Sequence, residues 1–248
     1  MGGLPDRAGV SSEAPPVVLI TGAAGGLGSA LTSAFADAGW QVVAGWHVNS
    51  PTTNRPEVTS LQLDVTDTTS VEAAFDLLEA KFRRLDLLIN NAGIARDSLV
   101  AQMSLADWDA VMEVNLAGAF RCARAALRRM IPVRSGHILN IASFGGLVGR
   151  AGQTNYAASK AGLLGLTQVL AREAGEHNVQ VNAILPGFLR TGLVGNLSEQ
   201  QLAGHAASNT LGRLNDCGEV ARFAVALATM RNVSGQIFQL DSRIAPWG

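Results

Sequence analysis

The sequence predicts one α/β domain, a doubly wound parallel sheet of about seven strands with helices on both faces. Three observations predict it. Short apolar runs alternate with longer stretches of helical periodicity from residue 15 onward. The runs are continuous, as in Val17-Val18-Leu19-Ile20, which is how strands covered on both faces read. Apolar residues make up 48% of the 248 positions and charged residues only 16%, enough to fill a core on each side of a sheet.

Residues 1–14 read as a flexible leader ended by Pro15-Pro16, and residues 15–248 as the domain. Val17 to Ile20 is the first strand. The turn Thr21-Gly22-Ala23-Ala24-Gly25-Gly26-Leu27-Gly28 leads into a helix marked by Leu31, Ala34, Phe35 and Ala38, with Gly39 as its stop. Val42 to Trp46 is the second strand. A polar, proline-containing connection at 48–57 precedes a third strand at 58–63, and Asp67 caps a helix running to about residue 82. The fourth strand covers 85–90, and Asn91-Ala92-Gly93 turns the chain. A long helical pattern spans 105–131 with a break near Ala117-Gly118. The fifth strand, 137–142, ends at Ser143 and a glycine-rich loop. A helix carrying Tyr156 and Lys160 runs to about Gly175, followed by a sixth strand at 179–185. Residues 191–212 are polar and rich in small residues. A helix at 219–230 and a last strand at 236–240 complete the alternation. No repeat or linker divides it.

Several function classes fall away. A net charge of −1 makes no electrostatic case for nucleic acid or an anionic membrane. No apolar run approaches the roughly 20 residues of a membrane span. The first residues lack the apolar centre of a signal peptide. Cys122 and Cys217 stand far apart and read as free thiols of a reducing cytoplasm. His47, His137, His177 and His205 show no ligand spacing, so no metal is expected.

The glycine-rich turn follows a strand and opens a helix. That is the setting in which glycines let a backbone approach a pyrophosphate, with the helix N-terminus supplying N–H groups and partial positive charge. The spacing, Gly22-x3-Gly26-x-Gly28, departs from G-x-G-x-x-G. An acid reading a ribose 2′-OH is expected about 20 residues on, at the end of the second strand. Trp46-His47 stands there instead. The reading therefore favours NADP over NAD, with the 2′-phosphate met by His47, Asn49, Ser50 or Arg55. In such sheets ligands lie at the carboxyl ends of the strands. Those ends hold Thr21-Gly22, Trp46-His47, Asp64-Val65, Asn90-Asn91-Ala92-Gly93, Ser143 and Pro186-Gly187. Asp64 can accept from the adenine amino group, and Asn91 to Gly93 can lie along the adenosine ribose.

Tyr156 and Lys160 are four residues apart and share a helix face. An ammonium beside a phenol favours the phenolate, so Lys160 is expected to lower the Tyr156 pKa from about 10.

Together these residues resemble the short-chain dehydrogenase/reductase family over residues 15–241. The resemblance rests on Thr-Gly-x-x-x-Gly-x-Gly at 21–28, Asn-Asn-Ala-Gly at 90–93, Asn115, Ser143, Tyr156-x-x-x-Lys160, and Pro186-Gly187 with Thr191. Within the family it is most similar to the 3-oxoacyl-[acyl-carrier-protein] reductases, on Gly93-Ile94-Ala95-Arg96-Asp97, on 155–162 and on Pro186-Gly187-Phe188. The resemblance implies a Rossmann-like fold and an oxidoreductase reducing a 3-oxoacyl thioester with NADPH in fatty-acid or polyketide synthesis. It implies catalytic roles for Asn115, Ser143, Tyr156 and Lys160. It implies cofactor contacts at Gly22, Ala23, Ala24, Gly25, Gly26, Leu27, Gly28, His47, Asp64, Val65, Asn91, Ala92, Gly93, Tyr156, Lys160, Pro186, Gly187, Leu189 and Thr191. It also implies a homotetramer built on the long helices, a lid at about 188–212, and a carrier-protein contact at Arg134. In the lid, Leu189, Leu193, Val194 and Leu197 are candidates to pack on an acyl chain or on the lid's own helix.

The chain departs from that subgroup at three places. His177 replaces the second basic docking position, Arg190 and Gly192 stand where acids are usual, and Leu240-Asp241-Ser242-Arg243 replaces an Asp-Gly-Gly ending. Two rivals follow: a family member acting on a sugar, steroid or small diketone, and a non-catalytic NADP(H)-binding partner protein.

Overall fold

The computed structural model describes residues 14–192 and 198–244. Seven strands form one sheet: β1 (Val17–Ile20), β2 (Gln41–Trp46), β3 (Val58–Gln62), β4 (Leu87–Asn90), β5 (Gly136–Ile141), β6 (Val179–Leu185) and β7 (Ile237–Gln239). Their spatial order is β3-β2-β1-β4-β5-β6-β7, with every neighbouring pair parallel. The chain winds outward to β3, then crosses back to β4. The strand order therefore reverses between β1 and β4, the point where such sheets open a crevice for ligand.

Alternation along each strand divides two cores. Val17 and Leu19 join Val43, Leu88, Ile138 and Val181 beneath α2 (Thr68–Phe82), α4 (Gly118–Val133) and α6 (Thr154–Gly175). Val18 and Ile20 join Val42, Ala44, Ile89 and Ile184 beneath α1 (Gly26–Asp37) and α8 (Cys217–Ala228). The continuous apolar runs are the signature of these two layers.

Helix starts follow local chemistry. Asp67 accepts from Thr69 N–H to open α2, and Ser104 from Asp107 N–H to open α3 (Leu105–Met112). A short helix, α5 (Gly145–Val148), follows β5, a capping box between Ser198 and Gln201 opens α7 (Glu199–Ala207), and Asp216 caps α8. Helix α1 begins at Gly25 with no side-chain cap. Gly39 stands just past its end at φ +82°, the left-handed position glycine fills without strain.

Two sequence expectations are revised. β4 starts at Leu87; Asp86, just before it, bonds Val17 and His137 through its backbone, and its carboxylate accepts from Val17 N–H at 2.8 Å and is gripped by Arg84. The long helix is not broken at Ala117-Gly118. It widens into a π-helical turn, Glu113–Ala117, between α3 and α4. Such turns insert an extra residue and recur at functional sites.

Among the described residues no helix is long and apolar enough to cross a membrane, and no group of His, Cys, Asp or Glu could hold a metal ion. Cys122 and Cys217 are both free.

Candidate active site

The carboxyl rim of the sheet gathers two kinds of structure. At the first, between β1 and α1, the backbone does the work. Gly22 sits at φ +65°, and a Cβ there would come within 2.8 Å of the Ala92 Cα. A Cβ on Gly28 would overlap the Gly22 carbonyl oxygen. The first helical bond runs from Ser29 N–H to Gly25 C=O, so the N–H groups of Gly26, Leu27 and Gly28 have no intrahelical partner. Ala24, Gly25 and Gly26 are exposed. An uncapped helix N-terminus behind an exposed glycine turn fits a dinucleotide pyrophosphate in shape and in sign of charge. Thr191 closes the far side, its methyl lying 2.9 Å from where a Gly26 Cβ would be.

The second place, between β4, β5 and α6, is built from side chains. The π turn aims Asn115 inward. Its Oδ1 accepts from Ile94 N–H at 2.8 Å, and its Nδ2 donates to Ile94 C=O at 3.0 Å and to Ser159 Oγ at 3.1 Å. Lys160 is 4% exposed and donates to Ile141 C=O at 2.8 Å. Its Nζ lies 5.8 Å from the Tyr156 ring centroid. Gly93 is where these groups converge: a Cβ there would lie 3.3 Å from Asn115 Oδ1 and 3.6 Å from Lys160 Nζ. Gly145 marks the other side, 3.4 Å from Ser143 Oγ and 3.9 Å from Tyr156 Cε1 by the same measure. Asn115, Ser143, Tyr156 and Lys160 thus surround one small volume.

Electrostatics correct one expectation. Burial pushes the Tyr156 phenol above its usual pKa, the Ser143 hydrogen bond pulls against that, and the Asp97 carboxylate adds to the rise. Burial alone pulls Lys160 down to about 8. The net direction for Tyr156 is upward, against the lowering expected from spacing, because burial dominates. Tyr156 stays protonated at neutral pH, the form that donates.

The model of the short chain dehydrogenase family matches residues 16–202. The chain belongs to the short-chain dehydrogenase family. It is 39% identical over 235 residues to the 3-oxoacyl-[acyl-carrier-protein] reductase FabG of Thermotoga maritima, covering 91% of this chain and 96% of that protein. It is 37% identical over 222 residues to FabG of Escherichia coli, covering 86% and 89% respectively. Among solved structures it is similar to ElxO with NADP bound, at a TM-score of 0.84 and 26% identity, over 92% of this chain and 98% of that one. As a short-chain dehydrogenase it is an oxidoreductase, and the fold is the single Rossmann-like domain expected.

Several expected cofactor residues have structural duties. Ala23 is buried, and its N–H is bonded to Gly45 C=O. Asn91 donates to the carbonyls of Thr21 and Gly22 at 2.9 and 3.1 Å, so its amide braces the glycine turn. Val65 packs against Gly118, and its carbonyl is held by Arg121. Leu189 is buried in the core with Leu27 and Ile184, which removes its side chain as an acyl contact. Leu193, Val194 and Leu197 lie outside the described residues. Arg55 pairs with Asp37 at 2.6 Å, at the C-terminal end of α1, the other end of that helix from the glycine turn. It is withdrawn as a 2′-phosphate ligand. His47 does stand at the rim, exposed, with Nε2 3.3 Å from Asp64 Oδ2. Burial raises the Asp64 pKa, but hydrogen bonds from Thr66 and the nearby His47 and Arg121 outweigh it and hold the carboxyl below its usual value.

Sequence reasoning named Thr21 at the rim and Asn155 in the helix motif but gave neither the role of holding the site. Thr21 Oγ1 accepts from Asn91 and Ala92 N–H, both at 3.0 Å, joining the glycine turn to the β4 end. Asn155 is fully buried; its Nδ2 donates to Arg96 C=O at 3.0 Å and its Oδ1 accepts from Tyr156 N–H at 2.7 Å. A polar residue directly before the tyrosine was the available signal.

Proposed function

We propose that the chain is an NADPH-dependent 3-oxoacyl thioester reductase. The observation that carries the chemistry is the convergence of Ser143, Tyr156, Lys160 and Asn115 beside an uncapped glycine-rich helix start. The curated relatives, reductases of 3-oxoacyl thioesters by name, supply the substrate class. The NADP-bound structural relative supports the cofactor. The turn from Gly22 to Gly28, with Thr191, would hold the pyrophosphate, and His47 would meet the 2′-phosphate. When bound, the nicotinamide supplies hydride.

Tyr156 donates its phenolic proton to the substrate carbonyl oxygen. Ser143 donates a second hydrogen bond to that oxygen, a contribution of about 2.7–4 kcal/mol. Lys160, still cationic below about pH 8, stabilises the phenolate left behind. The Asn115 side returns the proton, through water between Lys160 and solvent. Residues 188–212 act as the lid, with Phe188 stacked on His205 at 3.9 Å.

Assembly and partners extend this reading. An apolar groove of about 520 Å³ runs along the outer face of α4 and α6, lined by Met112, Leu116, Phe120, Leu166 and Val169. Phe120 and Val169 are roughly half exposed, and a second copy of the chain in a homotetramer covers them. Arg134 donates to Glu176 C=O beside His177, the surface for an acidic carrier protein. The protein works in the cytoplasm.

The test compares NADPH and NADH oxidation with acetoacetyl-carrier-protein, acetoacetyl-CoA and a panel of free ketones. Turnover of the thioesters with NADPH is expected. Turnover of free ketones alone would replace the substrate assignment. No oxidation with any of them would end the enzymatic reading.

A further inference from the structure

The segment after β7 folds back into its own chain. Asp241 lies under Gly187, which sits at φ +81° and has room for no Cβ, since one would come 2.8 Å from the Asp241 Cβ. The Asp241 side chain is 2% exposed. Its carboxylate accepts from Gln239 Nε2 at 2.7 Å, from Arg243 N–H at 3.2 Å and from Arg243 Nε at 2.6 Å, and it also pairs with Arg243 Nη2. Gln239 Nε2 donates in addition to Arg243 C=O at 2.6 Å. Held along one edge, the Arg243 guanidinium lies over the Phe144 ring, 3.9 Å from its centroid. Phe144 directly follows Ser143.

The same segment reaches two more parts of the site. Ser242 C=O accepts from Thr210 N–H at 3.1 Å, and Asn215 Nδ2 bridges Pro186 C=O and Leu240 C=O at 2.9 and 2.7 Å. A buried carboxylate is costly to desolvate unless it is paired, and a planar guanidinium is suited both to a carboxylate edge and to an aromatic face. Lysine can pair with a carboxylate or face a ring, but it has no planar fork with which to stack and pair at once.

We propose that Arg243 is a positioning residue for Ser143: paired with Asp241 and stacked on Phe144, it sets the loop that aims the Ser143 hydroxyl at the substrate carbonyl oxygen. The inference rests on Ser143 as the oxygen's second donor. Misplacing a group by about 1 Å can cost about 100-fold in rate.

A double-mutant cycle tests it, with NADPH and an acetoacetyl thioester. Arg243→Ala is expected to lower kcat by about 10- to 100-fold, with the NADPH dissociation constant unchanged. Arg243→Lys recovers part of that loss. In a Ser143→Ala background, Arg243→Ala has no further effect on kcat. An equal fold loss in both backgrounds overturns the proposal, as does an Arg243→Ala enzyme of full rate. If Arg243→Ala does not fold, Phe144→Leu removes the ring, keeps the ion pair, and is read through the same cycle. Wild-type turnover by Ser143→Ala alone refutes the donor role of Ser143. It does so before Arg243 is changed, and this proposal falls with it.

Discussion

The two ends of the carboxyl rim are built differently. Between β1 and α1 the working atoms belong to the main chain, and the side chains are mostly absent or buried. Between β4, β5 and α6 the working atoms belong to side chains, of which Asn115 and Lys160 are fixed by buried hydrogen bonds. Where the backbone acts, a site is specified by what must be missing, a Cβ. Where side chains act, it is specified by functional groups and by what holds them. Substitution should therefore harm the first end by adding atoms and the second by removing them.

Tyr156→Phe is the strongest way to sharpen that contrast. Loss of a positioned acid is expected to reduce kcat by about 10²–10⁴-fold, while NADPH still titrates the protein with unchanged affinity in fluorescence. Loss of NADPH binding together with kcat would show that the two ends are not separable.

Lys160 gives the next effect, read in stability rather than rate. Its pKa falls from 10.5 in the unfolded chain to about 8 in the folded one because burial disfavours the ammonium. The unfolded state then binds the extra proton between those values, so stability rises with pH across that window and the cost is fully present below about 8. The span corresponds to roughly 3 kcal/mol. Lys160→Met should flatten the pH dependence of urea midpoints from pH 8 to 10.5; an unaltered slope would place the ammonium in solvent.

Gly28→Ala adds one methyl where the Gly22 carbonyl already stands. Overpacking of this kind costs about 1–3 kcal/mol. The expected result is a lowered Tm and weakened NADPH binding, with kcat at saturating cofactor nearly retained. A variant that binds as well as wild type would mean the turn can open without loss.

The smallest effect belongs to His47, the exposed side chain proposed to meet the 2′-phosphate. His47→Ala should weaken NADPH by a factor of a few, in line with the roughly 0–1 kcal/mol of an exposed ion pair, and leave NADH unchanged. Equal weakening of both would assign His47 to the Asp64 contact rather than to the phosphate.

The same contrast explains what could be read in advance. Apolar runs and glycines state the sheet and the turn directly, because burial on two faces and the exclusion of Cβ leave few alternatives at Val17 to Gly28. Tyr156, Lys160, Ser143 and Asn115 were legible as a constellation, and the structure places them around one volume. Their supports were not. Thr21 and Asn155 act through bonds to chain segments far away in sequence, which no local pattern encodes. Arg55 misled for the same reason: an arginine near the second strand is basic wherever it points, and only the fold shows it beside Asp37. The Tyr156 pKa went wrong because proximity of Lys160 could be counted from spacing, whereas desolvation could not.

The π turn at Glu113–Ala117 ties the candidate site to the outer groove. One surplus residue in a helix offsets everything beyond it by about 100° around the axis. That offset lets a single continuous helix turn Asn115 into the reaction volume while Leu116 and Phe120 line the outer groove. Deleting one residue there would yield a more regular helix whose two faces no longer serve both purposes. The irregularity is a phase setting between the side chains turned inward at Asn115 and the apolar groove on the outer face.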